Sequence, residues 1–165
     1  MSADAKPGPE AGFQECNCLA IRQAARHVTQ FYDQLFAPAG LRATQFAILS
    51  RLRRGGPMTI NALAALLVMD RTTLGRNILP LQRDGLVEVV TSPADRRRRE
   101  LRLSEAGLAK HREAVERWAV AQERFDSVFG GERAAALRGL LREVVASDFA
   151  TAETSGGSRS AGNAR

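Results

Sequence analysis

Across Gly85 the apolar residues of this chain change their spacing, from the helical period of about 3.6 before it to the strand period of about 2 after it. One element cannot satisfy both periods, so a helix must end and a strand begin within a few residues of Gly85. Upstream, Asp70 is placed to cap a helix running from Arg71 to about Asp84, which Gly85 closes. With Leu74 taken as the inward direction, Ile78 and Leu81 lie within about 40° of it, while Thr72, Arg76 and Arg83 point away. This helix therefore has a narrow apolar face and an outward row of hydroxyl and guanidinium groups. Pro80 removes one backbone donor and predicts a kink in the last turn. Downstream, Val87-Glu88-Val89-Val90-Thr91 and Glu100-Leu101-Arg102-Leu103 alternate as strands, and Ser92-Pro93-Ala94-Asp95 supplies the turn between them. The tip and return arm of this hairpin carry Arg96, Arg97, Arg98 and Arg99.

The remaining periodic segments are helical. From about Cys16 to Phe36, residues Ile21, Ala24, Ala25, Val28, Phe31, Tyr32 and Leu35 share one side of a helix that Pro38-Ala39-Gly40 ends. A second helix runs from about Ala43 to Arg53, with Phe46, Leu49 and Leu52 apolar and Gly55-Gly56-Pro57 as its stop. Thr59 caps a short third, Ile60 to about Leu67, with Leu63, Ala64 and Leu67 inward. After the hairpin, Ser104 caps a long helix from about Glu105 to Val128. Gly130-Gly131 breaks it, and a last helix runs from Glu132 to about Phe149. Residues 1–13 and 150–165 are rich in small residues without apolar periodicity and read as disordered tails.

Charge singles out the same region. Between Arg51 and Arg102 lie 11 arginines and 5 acids, a net of +6, which equals the net charge of the whole chain. All the excess is in the middle third, and it is carried by arginine alone. That composition favours bidentate contacts to phosphates or base edges of a polyanion. A helix, a tight connection, a second helix with an outward Arg/Thr row and then a basic hairpin make a helix-turn-helix with a wing, whose second helix has the diameter to enter a major groove.

MDRTTLGRNILPLQRDGLVE followed by DRRRRELRLSEAG, with QFAIL in the preceding helix, resembles the MarR family of transcriptional regulators, over roughly Cys16 to Phe149. The resemblance implies a mainly α fold with a small β-hairpin wing. It divides the chain into a winged helix-turn-helix DNA-binding domain at 42–103 and dimerisation helices at 14–38 and 104–149. It also implies a homodimer on double-stranded DNA, with recognition helices in major grooves and wings in flanking minor grooves. Carried onto this chain, Arg71, Thr72, Thr73, Arg76 and Asn77 would meet the major groove. Asp95 and Arg97 match the family's wing pattern, in which the carboxylate orients the guanidinium for the minor groove. Arg96, Arg98 and Arg99 would then serve phosphates or the outside of the hairpin, by strand alternation.

Cys16 and Cys18 are two residues apart, so on a helix they diverge by about 200° and do not bridge within one chain. Cys18, at the margin of the apolar stripe, is read first as a small buried hydrophobe. The organic-peroxide-sensing, OhrR-like branch of the family offers another role. Aligned through Tyr32, Cys18 falls on the peroxidatic cysteine and Tyr32 on one of the tyrosines that hydrogen-bond it, although the second such tyrosine falls on Arg22. His27 and His111 are isolated in the sequence, and no metal-ligand spacing, phosphate loop or catalytic constellation is found, so neither cofactor nor enzyme is expected. No apolar run approaches the roughly 20 residues of a membrane span, and the cytoplasm is the default compartment. The expectation is a homodimeric repressor released from a palindromic operator by a small-molecule effector. The rivals are an oxidant-sensing repressor using Cys18, a sequence-indifferent architectural DNA-binding protein, and a thiol redox enzyme built on Cys16 and Cys18.

Overall fold

The computed structural model describes residues 15–149, so both tails expected at the termini lie outside the described residues. Six helices and one antiparallel hairpin follow in the expected order. Helix α1 (Asn17–Phe36) closes in a 3₁₀ turn, Ala37–Ala39, and Gly40 leaves it with φ of 68°, a left-handed conformation that glycine adopts without Cβ strain. Helix α2 (Ala43–Gly55) starts where the Asp33 carboxylate accepts the Ala43 amide at 2.7 Å. Helix α3 (Ile60–Leu67) begins at Thr59, whose Oγ1 accepts from the Ala62 amide at 3.2 Å.

Only Val68, Met69 and Asp70 join α3 to α4 (Arg71–Arg83), and the turn is bought with a left-handed valine, Val68, at φ 51°. The Met69 amide reaches back to the Ala64 carbonyl at 2.9 Å, which closes α3 and aims the chain into α4. Pro80 does not end the helix, which runs through it to Arg83 before Gly85, at φ 70°, turns the chain into the hairpin.

Strands β1 (Val87–Thr91) and β2 (Arg99–Leu103) pair from Val87↔Leu103 to Thr91↔Arg99. A single residue extends this sheet on the free edge of β2. Met58 exchanges two backbone hydrogen bonds with Leu101, at 3.1 and 2.8 Å, so the segment before α3 forms a one-residue third strand. Leu49, Leu63, Leu74 and Leu81 are fully buried, with Ile48 and Phe36 beside them, in a core shared by α2, α3, α4 and the base of the hairpin. Each such side chain contributes about 1.5–3 kcal/mol by leaving water, and together they fix α4 relative to the wing.

Helix α5 (Glu105–Phe129) starts at a crowded joint. Ser104 Oγ accepts from the Gly107 amide at 3.0 Å and donates to the Gly85 carbonyl, while the Ser104 amide donates to Leu86 at 3.1 Å. Helix α6 (Gly131–Ala146) stops short of the expected Phe149. Ser147 turns its hydroxyl back onto the Glu143 carbonyl at 2.8 Å and its backbone becomes extended, a local competition with the helix. The chain divides into two compact units at Gln122/Glu123. Within the second, Arg138 lies 3.8 Å from Asp126 and Arg133 covers the Phe129 ring. Among the described residues no helix is long and apolar enough to cross a membrane.

Candidate nucleic-acid interface

Asp70 sets the start of α4. Its carboxylate accepts the Thr73 amide at 2.8 Å, and hydrogen bonds from the Thr73 side chain and amide hold its carboxyl below the usual carboxylate range. Thr73 is thereby engaged at the cap. Asn77 is turned back onto the helix, its Nδ2 donating to the Thr73 carbonyl at 2.8 Å. Arg71, Thr72 and Arg76 are exposed, and among the described residues no ion pair or side-chain hydrogen bond engages them. Thr72 and Arg76 are one turn apart and share a row along the helix. Gly75 lies between them, in a helix interior where glycine costs about 1 kcal/mol relative to alanine.

The wing is organised differently from the expectation. No ion pair joins Asp95 to the Arg97 guanidinium. Instead the Asp95 carboxylate accepts the Arg97 backbone amide at 2.9 Å, its carbonyl accepts the Arg98 amide at 2.9 Å, and the Ser92 amide donates to the Arg98 carbonyl at 2.9 Å. Asp95 is thus the turn former of the tip, a role that suits a short carboxylate two residues from an amide. Because β2 begins only at Arg99, residues Arg96, Arg97 and Arg98 belong to the turn and strand alternation does not sort them. All three are exposed. Arg99 reaches Thr91 Oγ1 at 3.4 Å, and Arg102 pairs with Glu88 across the hairpin at 3.0 Å. Among the described residues the charges of Arg71 and Arg76 on α4, of Arg96, Arg97 and Arg98 at the tip and of Arg99 meet no carboxylate in an ion pair, whereas those of Arg83 and Arg102 do.

Between α4 and the hairpin runs a cleft of about 340 Å³, bounded by Gly75, Ile78 and Leu79 on the helix and by Val89 and Arg99 on the strands. A second, more polar groove of about 700 Å³ lies where the end of α1, the start of α2 and the end of α4 meet, with Arg42 and Arg83 in its wall.

The other residues singled out by sequence fall elsewhere. Cys16 is half-buried and Cys18 is exposed, so Cys18 is not the buried hydrophobe expected: of the α1 residues only Phe36 is fully buried. Tyr32 donates its hydroxyl to Gln122 on α5. Cys18 and Tyr32 stand on the same helix with about 21 Å of rise between them, so one chain does not bring them together. The fold does bring together a pair that the sequence separates by 61 positions, Ser50 Oγ and His111 Nε2, at 3.2 Å. The imidazole stacks on Phe46 with centroids 5.6 Å apart, and burial, then the nearby Arg53 charge, push it below the ordinary histidine value. Only helical packing of α2 against α5 reveals this pair. Among the described residues no cluster of His, Cys, Asp or Glu is arranged to hold a metal.

Comparison with known proteins places this geometry. The model of the MarR family matches residues 39–98, which span α2 to the tip of the wing. The transcriptional regulator MosR of M. tuberculosis is 32% identical, with 82% of this chain and 99% of that one covered and a TM-score of 0.68. Its complex with DNA gives 35% identity, coverage of 79% and 98%, and a TM-score of 0.65. BpsR of Bordetella bronchiseptica, whose DNA binding is regulated by 6-hydroxynicotinic acid, is 27% identical, with coverage of 82% and 97% and a TM-score of 0.72. Among curated proteins none matches the sequence.

Proposed function

Since this chain belongs to the MarR family of DNA-binding transcriptional regulators, we propose that it acts as a homodimeric repressor, released from a near-palindromic operator by a small-molecule effector. The observation that carries this reading is the exposed Arg/Thr row of α4 set beside a hairpin tip with three exposed arginines. Arg71, Thr72 and Arg76 read base edges in the major groove, with Thr73 and Asn77 holding the start of the helix in shape beside them. Arg96, Arg97 and Arg98 follow the adjacent minor groove and its phosphates, and Asp95 keeps their turn closed. Residues 42–103 form the DNA-binding part, and 14–38 with 104–149 the dimerisation part.

The dimer is supported by apolar surface that one chain leaves open. Leu19 and Ile21 on α1, Trp118 on α5, and Leu140 and Val144 on α6 are all exposed, and of α6 only Ala134 is buried. Helices with so much uncovered apolar surface need a partner. The effector is supported by BpsR, whose DNA binding answers to an aromatic acid.

Gel shifts with excess random duplex test the reading. A promoter fragment recovered by selection from the genome stays bound, whereas an architectural protein releases it. Arg76→Ala costs roughly 1–3 kcal/mol on that fragment and relaxes base preference, while Arg98→Ala weakens all duplexes alike and flattens the salt dependence. Equal losses on every sequence in both variants would refute the division of roles. Exposed Cys18 on α1 supports a second reading, release by an oxidant acting on its thiol. A Cys18→Ser variant that still leaves DNA on addition of organic peroxide removes it.

A further inference from the structure

Ser104 does more than cap a helix. Thr59 and Asp70 each accept from the third residue of their own helix, at 3.2 and 2.8 Å. Ser104 accepts in the same way from the Gly107 amide of α5, at 3.0 Å, and its hydroxyl keeps a proton to give. That proton goes to the Gly85 carbonyl, 19 positions earlier, where the chain leaves α4 with φ of 70°. Gly85 and Leu86 are themselves anchored on α4: the Gly85 amide donates to Gln82 at 3.0 Å and the Leu86 amide to Leu81 at 2.8 Å, which closes the last turn of the helix. From the other side, the Ser104 amide donates to the Leu86 carbonyl at 3.1 Å, and that oxygen lies where a Cβ on Gly107 would stand. These contacts between the end of α4 and the first turn of α5 are backbone on backbone but for the Ser104 hydroxyl. The hairpin leaves at Val87 and returns at Leu103, so the wing hangs from the same joint.

Side-chain contacts yield by changing rotamer, whereas a bonded backbone contact has no such freedom. Two turns further on, His111 of α5 meets Ser50 of α2 at 3.2 Å. Two points about 10 Å apart along a helix fix its direction against the elements they touch. On the reading above, α4 enters the major groove and α5 belongs to the dimerisation part, where Val115 and Trp118 leave apolar surface exposed. In a dimer, the angle between α4 and α5 therefore decides how far apart and at what rotation the two copies of α4 stand. Half-sites on B-DNA match such a pair at one separation, since each added base pair moves the second site by about 3.4 Å and turns it by about 35°.

We propose that Ser104 is a positioning residue for operator recognition: its bond to the Gly85 carbonyl locks α4 to α5 and so sets the half-site spacing that the dimer accepts. In this role Ser104 touches no DNA and carries no base preference. The inference rests on the homodimer reading and adds the residue that selects the operator's spacing.

The two bonds of the hydroxyl can be separated. Ser104→Asp still accepts from the Gly107 amide, and aspartate caps a helix as well as serine does, but a carboxylate has no proton for Gly85. Ser104→Thr keeps both bonds, and Ser104→Ala loses both. Each full-length variant is titrated on duplexes carrying two copies of the selected half-site, with their centres at the preferred separation or one base pair nearer or further. Wild type and Ser104→Thr lose about tenfold or more for one base pair. Ser104→Asp and Ser104→Ala lose no more than about threefold, or prefer a different separation. Ser104→Asp melts within about 2 °C of the wild type, and Ser104→Ala about 2–4 °C below it. Comparing separations within one variant cancels the added charge of the aspartate, which acts on every duplex alike. If Ser104→Asp does not fold, Ser104→Ala against Ser104→Thr makes the same comparison well below both melting temperatures. A folded Ser104→Asp protein with the wild-type spacing preference overturns the proposal and leaves Ser104 a helix cap. A wild type that binds one half-site as a monomer, or all separations equally, overturns the homodimer reading and this inference with it.

Discussion

Gly107 lacks a side chain because the Leu86 carbonyl oxygen lies only 2.0 Å from where its Cβ would stand. Ser104, three residues earlier, binds the same joint from the other side through Gly85, Leu86 and the Gly107 amide. Ser104 and Gly107 thus work together as a cap plus a backbone contact: the serine satisfies a helix donor, and the glycine lets the helix lie on the strand entry. Gly107→Ala forces backbone apart, not a flexible side-chain tip. It should destabilise the protein by on the order of 3 kcal/mol. Differential scanning calorimetry checks this as a fall of about 6–12 °C in Tm, and an unchanged Tm would show the joint to be yielding. Asp95 makes a related point. Its place in an Asp-x-Arg pattern was legible, but whether its carboxylate meets a guanidinium or an amide depends on turn dihedrals that residue types do not state.

At the scale of elements, most of what forms was readable because its causes are local. Thr59 and Asp70 accept from the third residue of their helices, and Gly40 and Gly85 take the left-handed positions that end them. The exceptions have long-range causes. Val68 adopts a positive φ that its β-branched side chain disfavours, because Leu63 and Leu74 must both be buried across a three-residue connection. Met58 becomes a strand residue only because β2 offers it an open edge. The seam of α2 with α5 carries a prediction of its own, through Ser50, Phe46, Arg53 and His111. Folding lowers the His111 pKa, so between its unfolded value near 6.5 and the lower folded value the unfolded chain binds more protons. Stability is then full above 6.5 and is lost as pH falls through that window. Urea midpoints measured about one unit above and below this value should drop on the acid side, and the drop should shrink in His111→Asn. An equal drop in both proteins would mean that other groups drive it.

For the whole molecule, the excess charge and the excess apolar surface lie on different parts of the chain. The +6 falls between Arg51 and Arg102, whereas much of the uncovered apolar surface lies on α1, α5 and α6. This segregation suits a protein that meets a polyanion with one part and its own copy with the other. Leu140 and Val144 share a row of α6, so Leu140→Glu combined with Val144→Glu should shift sedimentation from dimer to monomer. It should also make Tm lower and no longer dependent on protein concentration. A monomeric wild type would remove the dimer from the proposal. The sequence by itself determined the order and type of the elements, their caps, and the residues on the outer row of α4, because periodicity, glycine and capping hydroxyls act within one or two turns. Only the tertiary structure decided that Ser50 meets His111, that Leu86 excludes a side chain at Gly107, and that Gly75 opens a cleft facing Arg99. Such contacts arise from how apolar faces pack once loops have closed, and no local spacing encodes the distance between residues brought together in that way.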